Sequence, residues 1–104
     1  MRDLSQNDWK AKFSENENAI IIDVRRSDEW EDGIIPMALT IDMMNANLFF
    51  KEVEKLPKHI PYFIYCRSGA RSHQACIIME DMGFEETYNL VGGILEWDGE
   101  VNSQ

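Results

Sequence analysis

Apolar residues recur along this chain in short blocks with two alternating spacings. Ala19-Ile20-Ile21-Ile22, running into Asp23-Val24, is a continuous stretch rich in β-branched residues, which predicts a strand buried on both faces of a parallel sheet. Tyr62-Phe63-Ile64-Tyr65, opened by Pro61, predicts another strand, and Leu39 to Met43 and Thr87 to Val91 two more. Between these blocks the spacing turns helical. Ser5 stands before Trp9 and Phe13, with Asp8 in the first turn, predicting a helix from Gln6 to about Ser14. Asp28 to Asp32 reads as a helical turn carrying Trp30 and ended by Gly33, and Asn47 to Leu56 as a helix closed by Pro57. Ser72 to Met82 sets Ala75, Ile78, Met79 and Met82 on one core-facing side and stops at Gly83, and Gly92-Gly93 releases the last strand into a short helix holding Trp97. Strands alternating with helices imply an α/β fold, a parallel sheet of four to five strands covered on both faces, with only the two tails loose.

No repeat, linker or low-complexity tract divides the 104 residues, so a single domain over 1–104 is expected. A net charge of -9 argues against holding nucleic acid or an anionic membrane surface by bulk charge; any anion must be held locally. No apolar run approaches the roughly 20 residues that span a bilayer. The first residues lack the apolar stretch of a signal peptide, and only Cys66 and Cys76 are present, so a reducing, cytoplasmic setting is expected and a disulfide between them is disfavoured.

In parallel sheets ligands bind beyond the carboxyl ends of the strands. There the first strand delivers Asp23-Val24-Arg25-Arg26, the third Cys66-Arg67-Ser68-Gly69-Ala70-Arg71-Ser72, and the fourth Val91-Gly92-Gly93. A thiol between a strand end and a helix start faces unpaired N–H groups and the positive end of the helix dipole, which favours the nucleophilic thiolate. Arg67 and Arg71 add positive charge. Gly69 allows the N–H groups to curl into a nest, and Ser68 and Ser72 offer hydroxyl donors, Ser72 also a helix cap. Cys76, beside core positions and without a charged cradle, is expected to be inert packing.

The chain resembles the single-domain rhodanese-like sulfurtransferases. The resemblance rests on AIIIDVRR with Glu29-Trp30 after it, GIIP, YCRSGARS and NLVGGILEW, which together span Ala19 to Trp97. It implies the three-layer fold of that family and a Cys66 that carries a persulfide inside a cradle formed by Arg67 to Ser72. A small anionic donor such as thiosulfate or a persulfide would be attacked by Cys66, and a thiol, cyanide or protein cysteine would take the sulfur. No cofactor and no metal are implied. Where relatives commonly have Gly-His-Ile-Pro-Gly-Ala, this chain has Gly33-Ile34-Ile35-Pro36-Met37-Ala38, and Thr40 stands where Asn is frequent.

Arg67 or Arg71 suits the steering of a donor's anionic end, and a pairing of Arg71 with Asp23 or Glu29 would make it structural instead. A cysteine phosphatase or arsenate reductase would place the arginine one residue further along, so the shorter Cys66–Arg71 loop suits a single extra sulfur. A non-turnover sulfur-relay or protein-interaction module is the other alternative. Met37, Met43 and Met44 are read as core filling rather than as a partner-facing patch, and the acidic stretches Asp28–Asp32 and Glu85-Glu86 as solvated faces. His73 lies in the helix leading away from the loop and His59 in a connection, so neither is placed to act as a base on the thiol.

Overall fold

The computed structural model describes residues 1–103. Five strands form one parallel sheet: β1 (Arg2–Leu4), β2 (Ile20–Asp23), β3 (Leu39–Thr40), β4 (Pro61–Tyr65) and β5 (Glu86–Leu90), in spatial order β1-β5-β4-β2-β3. The helices are α1 (Gln6–Ser14), α2 (Ser27–Trp30), α3 (Ala46–Glu54) and α4 (Ala70–Asp81), followed by a 3-10 turn at Ile94–Glu96.

β4 lies at the centre of the sheet and every one of its residues is buried, because both of its faces are covered. Side chains alternate along a strand, so Tyr62 and Ile64 enter one apolar cluster and Phe63 and Tyr65 the other. The first cluster packs Phe49 and Val53 of α3 and Ala75, Cys76 and Met79 of α4 against Ile22 and Ile64. The second is centred on Trp9 of α1, which meets Phe63 edge-on at 5.7 Å and Trp97 at 5.6 Å. The same alternation carried one step past β4 puts Cys66 on the α4 side.

Four expectations change. The N-terminal tail is not loose: Arg2–Leu4 pairs with β5 as an edge strand, with Asp3 opposite Asn89. The other tail is also tied, by an antiparallel bridge between Ile34 and Asn102. β3 stops at Thr40 instead of Met43, because the Asp42 carboxylate accepts the Met44 N–H at 2.8 Å and turns the chain away. The buried stripe of α4 is Ser72, Ala75, Cys76 and Met79, while Ile78 and Met82 are only partly covered, so the seam is rotated toward the start of the helix. No helix among the described residues is long and apolar enough to cross a membrane.

Candidate active site

The loop after β4 closes directly into α4. Gly69 is the residue before the helix, with φ +106°, a region that L side chains rarely adopt, and its N–H donates to Cys66 Sγ at 3.1 Å. Ser72 is therefore not the cap. It lies in the first turn, buried, with Oγ 3.3 Å from the same sulfur. Burial pushes the Cys66 thiol up, but donation from the Ser72 hydroxyl and from the Ser72, Gly69 and Ser68 N–H groups outweighs it, leaving the thiol below its ordinary value. Cys76, by contrast, is pushed up to about 12 by burial, and both cysteines are free thiols.

The two arginines of the loop part company. Arg71 makes a two-pronged pair with Glu29, Nη1 to Oε1 at 2.7 Å and Nη2 to Oε2 at 3.0 Å. Glu29 thus leaves the solvated acidic face predicted for Asp28–Asp32; Arg71 holds its carboxyl down at about 2. Arg67 is exposed and makes no ion pair among the described residues. Ala70 and Ser68 are also exposed. Beside the loop is a cleft of about 310 Å³ lined by Arg26, Glu29, Met44, Arg67 and Arg71. Met44 is 63% exposed and Met37 84%, so neither fills the core; Met43 alone is partly buried against it.

The segments from β2 and β5 support the loop. Asp23 and Arg25 are buried together: the carboxylate accepts from Arg25 Nη2 at 2.7 Å and from the Tyr65 hydroxyl at 2.6 Å, while Arg25 also donates to the Gly33 carbonyl at 2.7 Å. Through the Glu29 and Gly33 carbonyls, Arg25 ties the segment around α2 to the end of β2. At Gly93 the paired glycines do more than release the last strand. A Cβ there would lie 2.3 Å from the Arg67 carbonyl oxygen and 2.6 Å from that of Cys66, which accept hydrogen bonds from Leu95 and Ile94 respectively, each at 3.0 Å. The close approach of the two loops requires glycine.

Asn89 is not among the residues that the sequence assigns to the cradle, although an asparagine inside a strand block is a recognisable oddity. It is buried in β5 and receives the Ser72 hydroxyl at 2.5 Å. His73 and His59 take no part around the sulfur: each meets a carboxylate, of Asp3 at 3.0 Å and of Glu85 at 2.6 Å. Among the described residues no cluster of His, Cys, Asp and Glu could hold a metal ion.

The family model for the rhodanese-like domain matches residues 5–100. The chain belongs to the rhodanese-like family. A relative named sulfurtransferase, from Allochromatium vinosum, is 33% identical over 97 residues, covering 93% of this chain and 88% of the relative. A Bacillus subtilis protein provisionally named a sulfurtransferase is 35% identical over 101 residues, covering 97% and 94%. The crystal structure of a rhodanese-like domain protein from Staphylococcus aureus, 29% identical, superposes with a TM-score of 0.80 over 100% of this chain and 99% of that one. The five-stranded parallel sheet is thus that of the rhodanese-like fold, and this rhodanese-like domain keeps it without the His and the second Gly of the usual Gly-His-Ile-Pro-Gly run.

Proposed function

We propose that this rhodanese-like domain is a sulfurtransferase that carries a sulfane sulfur on Cys66. The observation that carries the reading is a cysteine sulfur at the mouth of a helix, with the Gly69 N–H and the Ser72 hydroxyl aimed at it. Donors fixed around one atom stabilise charge there without reorganisation, whether on a thiolate or on the outer sulfur of a persulfide. In the first half-reaction the Cys66 thiolate attacks the outer sulfur of thiosulfate. A new S–S bond forms, the donor's S–S bond breaks, and sulfite leaves with its electron pair. In the second, cyanide or a thiolate attacks the outer sulfur and Cys66 departs as thiolate. Charge balances in both steps without an external oxidant.

The anionic end of the donor falls to Arg67, the loop arginine that Glu29 leaves unpaired, while Arg71 stiffens the cradle through that carboxylate. The Gly69 N–H and Ser72 hydroxyl bind the transferred sulfur, with the Ser68 N–H beside them and Ala70 opening α4 to complete the turn. A dedicated relay to a partner protein is the second reading, favoured by the exposed Met44 on the cleft.

Incubation with thiosulfate followed by intact-mass measurement separates these. The wild type gains the mass of one sulfur and returns thiocyanate on adding cyanide; Cys66→Ser does neither. A loaded protein that cyanide leaves untouched but a protein thiol discharges selects the relay. A wild type that never loads from thiosulfate or from a low-mass persulfide overturns the assignment.

A further inference from the structure

Ser72 has one hydroxyl proton and two acceptors within reach. Its Oγ lies 3.3 Å from Cys66 Sγ and 2.5 Å from Asn89 Oδ1. The orientation of the Asn89 amide is fixed by different partners: Nδ2 donates to Asp3 Oδ1 at 2.9 Å and to the Gly69 carbonyl at 3.1 Å. Both partners only accept, so the amide nitrogen must face them and the amide oxygen must face Ser72. The fold holds this arrangement firmly. Asn89 is 3% exposed, the β1–β5 register places Asp3 beside it, and donation from Asn89 and from His73 keeps the Asp3 carboxyl below its ordinary value.

We propose that Asn89 is a positioning residue for the reactive sulfur, its amide oxygen competing with Cys66 Sγ for the single Ser72 hydroxyl proton. The inference rests on Cys66 being the reactive thiol and deepens that reading by naming what limits its ionisation. While the sulfur keeps its own proton, S–H points at Ser72 Oγ and Ser72 donates to Asn89, so each polar atom has a partner. When that proton passes to solvent, the Ser72 hydroxyl turns to the sulfur and Asn89 Oδ1 loses its donor in a buried place, where an unsatisfied acceptor is costly. The cost falls on the anionic state alone. It sets a floor under the effect of the loop N–H groups and keeps the thiolate from being stabilised into a poor nucleophile.

The other charged groups around the sulfur are Arg71 of α4 with its partner Glu29 of α2, the buried pair of Asp23 at the end of β2 and Arg25 just beyond it, and Arg67 on the loop; Asp3 and His73 lie beyond Asn89. None of these is replaced in the variants that test the idea.

The test is the pH dependence of iodoacetamide alkylation of the full chain, read at Cys66 by peptide mass so that Cys76 does not contribute. Ser72→Ala moves the midpoint for Cys66 upward. Asn89→Leu moves it downward by roughly half a pH unit, about threefold more thiolate below the midpoint. In the Ser72→Ala background, Asn89→Leu has no further effect, which a general loosening of the strand would not produce. An upward or absent shift in Asn89→Leu, or a shift that persists without Ser72, overturns the proposal. If Asn89→Leu fails to fold, Asn89→Val takes its place. A measurement on the wild type stands independently: the Asn89 side-chain NH2 resonances follow the Cys66 titration and lose that dependence in Cys66→Ser, and resonances that ignore the titration sink the idea. Failure of thiosulfate to load the protein would overturn the proposed activity and leave these midpoints as they are.

Discussion

Met37 has φ +72°, the one non-glycine residue with positive φ among the described residues, at the position where relatives of this resemblance commonly carry glycine. The turn holds an L residue in the left-handed region there, at a cost of about 1 to 2 kcal/mol. Its side chain is 84% exposed and contributes little burial in return. Met37→Gly relieves the strain but gives the unfolded chain more freedom, which offsets roughly half a kcal/mol to 1 kcal/mol. The expected outcome is a stabilisation of up to about 1.5 kcal/mol, raising the thermal midpoint by several degrees in calorimetry. A lower midpoint would show that the methionine side chain, on the rim of the groove formed by Trp9, Phe13 and Trp97, contributes more than its exposure suggests.

At the scale of elements, α2 is a single helical turn whose Glu29 clamps the start of α4 through Arg71. Because Arg71 lowers the Glu29 carboxyl from an ordinary 4.5 to about 2, the unfolded chain takes up the proton first as the solution is acidified. The stability this pair contributes is complete above pH 4.5 and is lost as pH falls toward 2. Glu29→Gln should be less stable than the wild type at neutrality and should lose less stability between about pH 5 and 3, read by urea denaturation at each pH. Equal losses in the two proteins over that window would dismiss the clamp. The long elements were legible because their signals are local: a buried strand shows as an unbroken apolar run and α1 as a cap followed by spaced aromatics. What escaped has no local signature. β1 is three residues with one buried side chain, too short to show a period, and only pairing with β5 makes it a strand. Glu29 looked like one solvated acid among several until the loop brought Arg71 to it, and Ser72 looked like a cap because a serine at a helix start usually is one. Cys66 and its glycine were readable because strand, turn and helix follow one another in the chain; Asn89 and Asp3 reach the same place from opposite ends of it.

Over the whole molecule, a net charge of -9 sits on a body with a radius of gyration of 12.3 Å, and the proposed donor is itself an anion. Treated as a sphere of roughly 16 Å radius, the protein opposes a dianion by about 3 kcal/mol at about 10 mM salt and by about half that at physiological salt. Against this stands Arg67, because Arg71 is committed to Glu29 and Arg26 lies 3.3 Å from Asp28. At roughly 5 Å a single exposed guanidinium attracts a dianion by about 1.5 kcal/mol in water, and the same change of salt removes only about 0.5 kcal/mol of it. The diffuse repulsion therefore loses more on screening than the local attraction does. The kcat/KM for thiosulfate should rise severalfold between low and physiological salt, the reverse of what a cationic site alone would give. Arg67→Gln should lie about tenfold below the wild type at low salt, with the gap narrowing as salt is added. Steady-state rates of both proteins across a salt series check this. A wild-type rate that falls with salt would mean that the cations near Cys66, and not the acidic surface around them, govern the approach of the donor.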